Sequence, residues 1–306
     1  MIMMRYFTLA KLIILTLVIQ LSCASSVADN DLPPINSDPN FNAYWYQGKA
    51  ELTSYQLQQA RYGEIREGQA VLIFVTEDFS RSKQVKLDDP VAAGSDVVKV
   101  MKLNMTKKFE TGLYPYSMMS SVFTPVNGDA SLKVTTSSQE WCGHTFTQFN
   151  KINRGYKVTA HSYFESEGEQ QMSLANALLE DEVWARIRIA PEQLPLGTID
   201  IIPGTMTQRL RHTGFVVEKA QASMKDEADG VSVYRLDYPK QDRTLSIQFT
   251  KTFPHEILGW EETYTDGWGA GAKKLTTKAT RNRSLFTDYW TKNHNSDAHL
   301  KEELGL

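Results

Sequence analysis

Apolar and polar residues alternate along much of this chain, the two-residue period of a strand with one face buried. The clearest case is Leu245-Ser246-Ile247-Gln248-Phe249, apolar then polar throughout. Ala70-Val71-Leu72-Ile73-Phe74-Val75 is apolar on both alternating faces, which predicts a central strand covered on both sides. Residues 97–106, 132–136, 156–163, 215–224 and 231–238 read as further strands. Asn127-Gly128-Asp129, Asn153-Arg154-Gly155 and Asp229-Gly230 mark tight turns between them. Short connections without recurring helices belong to antiparallel pairing. The pattern predicts a mainly β protein: an antiparallel barrel, half-barrel or sandwich.

One segment departs from the period of two. Leu174, Leu178, Leu179, Val183, Trp184 and Ile187 fall on a helical stripe, which predicts one substantial helix over about 173–188 packed on the sheet. Ser173 would cap its start, Glu182 would pair with Arg186 one turn on, and Pro191 lies just beyond its end. Residues 297–306 suit a short terminal helix. Residues 41–306 are expected to form a single large β-rich domain, with two halves split near 170–190 as the alternative reading.

The N-terminus carries different information. Arg5 and Lys11 precede an apolar run over 12–19, the charged and apolar regions of a secretion signal, so residues 1–23 are expected to direct export. The run is too short and too interrupted for a spanning helix of about 20 apolar residues. Leu21-Ser22-Cys23 resembles the lipobox of bacterial lipoproteins, which makes Cys23 the expected lipid attachment site; cleavage after Ala24 by ordinary signal peptidase is the alternative. Residues 24–40 are rich in Ser, Asp, Asn and Pro, a composition suited to a flexible tether. The expected location is therefore the cell envelope, with the domain held to a membrane through an N-terminal lipid and lying in the periplasm or at the surface.

Charge and cysteine content narrow the function. The 33 Lys and Arg are outnumbered by 36 Asp and Glu, and loss of residues 1–22 removes Arg5 and Lys11 and no acidic residue. No basic excess or stripe offers a nucleic-acid footprint, so no nucleic-acid partner is expected. The chain has 2 cysteines. If Cys23 carries lipid, Cys142 has no intramolecular partner, and stability must come from burial.

Glu140-Trp141-Cys142-Gly143-His144 is the most chemically loaded stretch. On a strand, Glu140, Cys142 and His144 would share one face, as a thiolate nucleophile with a base, or a three-ligand metal site, would require. They are the candidate catalytic residues. Against them, a lone cysteine commonly serves as a small hydrophobe, and Thr145 rules out a Cys-x-x-Cys pair. Trp260-Glu261-Glu262 with Tyr264, Trp268 and Tyr289-Trp290 suggests carboxylates beside sugar platforms, but adjacent strand residues point to opposite faces. Gly267-Trp268-Gly269-Ala270-Gly271 lacks the Gly-Lys-Ser/Thr of a phosphate loop and reads as a hairpin connection. His161, His212, His294 and His299 show no metal spacing, and no metal or cofactor is expected.

The stretch from Tyr44-Trp45-Tyr46-Gln47-Gly48-Lys49-Ala50 to Phe79, together with Glu140-Trp141-Cys142-Gly143-His144, Thr252-Phe253-Pro254-His255 and Trp260-Glu261-Glu262, resembles a family of uncharacterised exported bacterial proteins. Its members are often labelled septum formation inhibitor Maf. The label would imply a cytoplasmic nucleotide pyrophosphatase with an α/β fold, opening on a Ser-x-Ser-x-Arg-like phosphate-binding segment. Here Ser80-Arg81-Ser82 echoes that segment only within a polar turn after a strand. The leading expectation is a non-enzymatic envelope lipoprotein that binds an apolar ligand or a protein partner. The alternatives are an envelope hydrolase using Cys142 and His144 or carboxylates, and, at a distance, a Maf-like pyrophosphatase.

Overall fold

The computed structural model describes residues 38–306. The expected signal segment, Cys23 and all but the last residues of the tether lie outside them.

The chain opens on a helical turn, α1 (Phe41–Trp45), and enters a long meander. Its first strands are β1 (Ala50–Arg61), β2 (Glu64–Ser80) and, after a short α2 (Pro90–Ala93), β3 (Val97–Glu110). Then follow β4 (Pro115–Pro125), β5 (Lys133–Glu140), β6 (Gly143–Ile152), β7 (Gly155–Ser162) and β8 (Glu169–Ala175). A two-residue β9 (Leu178–Leu179) leads into α3 (Glu180–Ile189), and β10 (Gly197–Ile202) into α4 (Thr205–Arg211). The chain finishes with β11 (Glu218–Asp226), β12 (Val231–Tyr238), β13 (Arg243–Thr250), β14 (Ile257–Asp266), β15 (Lys273–Thr287) and α5 (His299–Glu303).

Among the described residues all 15 strands belong to one open sheet, in the order β8-β7-β6-β5-β4-β3-β2-β1-β15-β14-β13-β12-β11-β10-β9. First and last long strands meet in the middle, where β1 pairs with β15, and every pairing is antiparallel except β9 with β10. The sheet is rolled around α3. From that helix Glu182 accepts the Ser131 N–H beside β5, while Glu180 accepts from Tyr238 at the end of β12. On a flat sheet, with strands about 4.8 Å apart, those strands would be separated by several helix widths.

The strands form where the periodicity predicts. β13 alternates buried and half-buried residues along its whole length. β2 is central and covered twice. Leu72 and Phe74 face the main core, while Val71, Ile73 and Val75 pack with Leu52, Leu285, Tyr289 and Leu304 on the other side. The covering of that second face comes partly from α5, at the expected C-terminal helix.

The expected helix over 173–188 is corrected. It begins at Glu180, and the described helices are several and short. Residues 169–175 instead form β8, with alternating exposure, and the Met172 and Leu174 side chains pack on the core as strand residues. The apparent stripe thus joined residues of three elements. Ser173 caps nothing here; the Glu182 carboxylate accepts the N–H of Leu179, 3.4 Å away, at the true start. Glu182 does pair with Arg186, at 3.4 Å, but in the core. All ten residues of α3 are buried, so it has no solvent face to leave a surface-helix pattern.

Burying α3 whole requires partners for its charges. Arg188 holds Glu51 of β1 through two bonds of 2.5 and 2.8 Å. Arg243 of β13 holds Glu180 through two bonds of 2.6 Å and Glu262 of β14 through a third of 2.6 Å. Asp181 accepts from the Thr205 N–H at 3.0 Å and its hydroxyl at 2.9 Å, which ties α3 to α4. Gly204, just before α4, allows that approach, since a Cβ there would run into the Glu180 carboxylate.

Candidate binding site

Because the strands alternate in direction, one end of the rolled sheet gathers the turns at 62–63, 111–114, 141–142, 163–168 and 267–272. α4 ends at the same rim. The Gly63 N–H donates to Asp266 at 2.6 Å, which fastens the β1–β2 turn to the β14–β15 connection.

Two buried arginines lie under the rim. Arg61, the last residue of β1, donates to the Leu210 carbonyl and to the Tyr116 hydroxyl, the latter at 3.0 Å. Arg209 of α4 lies over the Phe164 ring, 4.7 Å from its centre, and reaches Glu140 at 3.5 Å. His212 ends α4 in the left-handed region, φ 52°, a conformation rare outside glycine but tolerated by His better than by most residues. That turn sets its ring between Phe164 and Trp268, with centroids 5.2 and 6.0 Å away.

Nδ1 of His212 lies 2.5 Å from Glu167. One Arg209 nitrogen is 3.3 Å from Nε2 and 3.5 Å from Nδ1, so the guanidinium lies across the ring and the bond to Glu167 is the one that orients it. Burial lowers the imidazole pKa, the bond to Glu167 opposes this, and Arg209 reinforces it; the net shift is downward. Arg209 is matched by Glu140, whereas Arg61 is held by two tyrosine hydroxyls and a carbonyl, and Glu167 by Ser162 and His212.

A cavity of about 160 Å³ opens beside these groups. Its walls combine hydroxyls and amides, among them Thr145, Thr147, Gln170 and Gln208, with Glu167, Arg209 and His212 and with the apolar Ala160 and Phe215. Along the same rim the aromatic rings form a chain. Trp141 stacks on Tyr114 at 6.3 Å, the Tyr114 hydroxyl meets that of Tyr62 at 3.1 Å, and Tyr62 packs on Trp268 at 5.8 Å. Three rings stand largely in solvent: Trp141 is 69%, Trp268 62% and Tyr163 70% exposed. Tyr163 lies against Gly143, where a Cβ would strike its ring.

A second cavity lies deep against α3, bounded by Leu103, Met105, Trp184 and Trp260 and by the charged Lys107, Glu180, Asp181 and Glu262. Its volume of about 30 Å³ suits one or two waters, not an organic ligand. Burial lowers the Lys107 pKa, opposed by Glu262. Burial and the neighbouring Glu180 raise Asp181 to about 7, although the bonds from Thr205 pull the other way.

Glu140, Cys142 and His144 do not share a strand face. Glu140 ends β5, Trp141 and Cys142 form a two-residue turn, and β6 begins at Gly143, so that Glu140 pairs with Gly143 and Gln139 with His144. A turn at this point breaks the alternation on which the expected convergence rested. Cys142 is exposed rather than a packed small hydrophobe. Its thiol pKa is raised, first by a hydrogen bond with Glu140 and then by slight desolvation, the opposite of what a nucleophile needs. Glu140 is buried, and besides Arg209 it accepts the Cys142 N–H at 2.6 Å.

Glu261 and Glu262 fall on opposite faces, as adjacent strand residues must. Glu262 is bound to Arg243 inside, and Glu261 reaches Lys278 outside at 3.2 Å. The glycine-rich 267–271 segment is the β14–β15 connection. Among the described residues no group of three or more His, Cys, Asp or Glu side chains converges as a metal ion would require. In sequence His212 calls for no more than a surface or capping role, and it does cap α4, while Arg61, Arg209 and Glu167 carry no local motif. The cluster Arg209, Arg211 and His212, closing a short segment before Gly214, is the available signal.

No protein-family model matches the chain, and no curated protein matches it. Among solved structures it is similar to a β-barrel-like protein of a domain of unknown function, DUF1849, from Brucella abortus. The two share 8% identity at a TM-score of 0.44, over 78% of this chain and 98% of that one. A porin-like protein from Bacteroides uniformis aligns at 8% identity and a TM-score of 0.21, over 77% of this chain and 95% of the other. Likeness of this degree assigns neither family nor function.

Proposed function

We propose that this protein is a non-enzymatic binding protein of the cell envelope, tethered by lipid at Cys23, and that it takes its ligand or partner at the aromatic rim. One observation carries the reading: exposed Trp141, Tyr163 and Trp268 stand at the same end of the sheet as a cavity of about 160 Å³ that presents hydroxyls and amides, and Trp268 touches His212 in its wall. Exposed aromatic rings cost solvation unless something covers them, and a recessed polar cavity beside them supplies orientation.

The interior is a poor carrier of an apolar ligand, because α3 fills it and the cavity beside that helix is small and charged. The hydrolase alternative finds little support at the rim. Ser162 and His212 each bond to Glu167, at 2.6 and 2.5 Å, so the carboxylate stands between them and His212 is not placed as the base for Ser162. A Maf-like pyrophosphatase would require an α/β fold, whereas this sheet is antiparallel apart from one two-residue pairing.

The reading is tested by photo-crosslinking in intact cells. A photoreactive phenylalanine analogue at Tyr163 or Trp268 should give discrete adducts, and the same group at Asn153, at the opposite end, should not. Equal labelling from both ends would refute a rim site. Mass spectrometry of the purified N-terminus should find a diacyl- or triacyl-modified Cys23; an unmodified terminus at Ser25 would remove the tether.

A further inference from the structure

We propose that the rim binds an oligosaccharide of neutral pyranose rings, stacked along Trp268 and Trp141, with one ring's hydroxyl edge in the cavity beside α4. This rests on the rim reading above and adds the ligand's chemistry. The argument has three parts.

The first is charge. Arg209 is paired with Glu140, Glu167 takes Ser162 and His212, and Arg61 is engaged by the Tyr116 and Tyr62 hydroxyls and the Leu210 carbonyl without lining the cavity. A phosphorylated or carboxylated ligand would need an uncompensated cation, and the chain as a whole is net −3.

The second is the lining. Thr145, Thr147, Ser162, Gln170, Gln208 and Thr213 offer hydroxyls and amides, groups that donate and accept at the same position. A ligand rich in hydroxyls has the same double capacity, so each contact can be satisfied in either direction. An aliphatic ligand would leave those groups unpaired, at a penalty for each. The Gln208 Oε1 is buried without a hydrogen-bond partner in the protein. At about 160 Å³ the cavity has room for roughly five water volumes, enough for part of a ring but not for a whole chain.

The third is the platform. The face of an aromatic ring is electron-rich, and the axial C–H groups of a pyranose are weakly positive, so the two attract as an aromatic edge attracts a face. Trp268 contacts His212, which lines the cavity, and the ring chain runs on through Tyr62 and Tyr114 to Trp141. One end of a chain of sugars can thus enter the cavity while later residues lie on exposed rings.

The test is calorimetric titration of the purified domain with two tetrasaccharides, one of N-acetylglucosamine and one of glucose. These represent an acetamido glycan and a plain hexose glycan, and penta-alanine serves as the peptide probe. At least one tetrasaccharide should bind saturably. Trp268→Ala should weaken it at least tenfold with an unchanged thermal transition, and Trp268→Phe, which keeps a stacking face, should recover most of the loss. Binding confined to the N-acetylglucosamine oligomer identifies the acetamido source, and binding to the glucose oligomer the plain one. No saturable binding of either sugar up to 10 mM (about a −2.7 kcal/mol floor) overturns the inference, as does tight binding of penta-alanine with the same Trp268 dependence. Either failure leaves the crosslinking result standing, so the ligand class and the rim site fall separately.

Discussion

Asp181 shows how much one residue's surroundings decide. Its carboxyl is raised to about 7 by burial and by Glu180 beside it, with Thr205 donating in partial compensation. An acid whose folded-state pKa lies above its unfolded value near 4 holds its proton in the native state across that window. Its contribution to stability is therefore complete below pH 4 and is lost as pH rises toward 7, with no further change above. Asp181→Asn keeps an acceptor for Thr205 and removes the titration. Urea unfolding midpoints of the variant should fall less between pH 5 and pH 7.5 than those of the natural protein, and parallel curves would assign the dependence elsewhere. Cys142 carries a second prediction at this scale. Its thiol is exposed but its pKa is raised by Glu140, so a maleimide should label the folded protein completely but slowly at pH 7. Glu140→Gln should speed that reaction severalfold in protein that remains folded. A rate unchanged by Glu140→Gln would show that the carboxylate does not set the thiolate fraction.

At the scale of elements, α3 is the unusual piece: a helix with five charged residues and no solvent face. Its ion pairs are imposed by position, since Glu180 and Glu262 converge on Arg243, itself fully buried. Burial alone would raise the Glu262 carboxyl, but Arg243 and then Lys107 hold it below the usual range. Removing one partner of such a cluster leaves the others charged in a medium that solvates them poorly. Arg243→Leu should destabilise the protein by about 3–5 kcal/mol, and Arg243→Leu with Glu180→Leu by less than Arg243→Leu alone. Denaturant unfolding of the three proteins decides it; a double variant weaker than the single would mean that the pair contributes through shape. The error at this scale is instructive too. Leu174 and Leu178, and then Leu179 and Val183, sit at helical intervals by coincidence, because a strand, a two-residue bridge and a helix succeed one another over residues 169–189. Short elements do not fill a periodicity window, so the window averaged them.

Across the whole molecule, the sheet depends on a seam between chain ends. β1 and β15 lie more than 200 residues apart in sequence, and their pairing joins the β2–β8 meander to the β9–β14 one. The outer face of β2 near that seam is sealed by Leu304 and Tyr289. Leu304→Ala should therefore cost about 2–3 kcal/mol, at the lower end for a buried leucine because the cluster is small. Thermal unfolding followed separately by tryptophan fluorescence and far-ultraviolet circular dichroism should give one shared, lowered midpoint. Two transitions would mean that the halves on either side of the seam unfold independently.

The sequence by itself determined the mainly β character of the fold, tight turns such as that at 127–129 and the double covering of β2, though not β8, because each depends on neighbours within a few residues. Alternation places every second side chain on one face whatever the sheet later does. The pairing of β1 with β15, the rolling of the sheet around α3 and the gathering of Arg61, Glu140, Glu167, Arg209 and His212 under one rim were decided only by tertiary structure. Those residues come from four separate segments, and local patterning carries no record of which distant turns will share an end. Cys142 shows the same limit at close range. The residues around it were legible, but one turn at 141–142 sent Glu140 inward to Arg209 and left the thiol outside, a difference of direction that only the hairpin's geometry fixes.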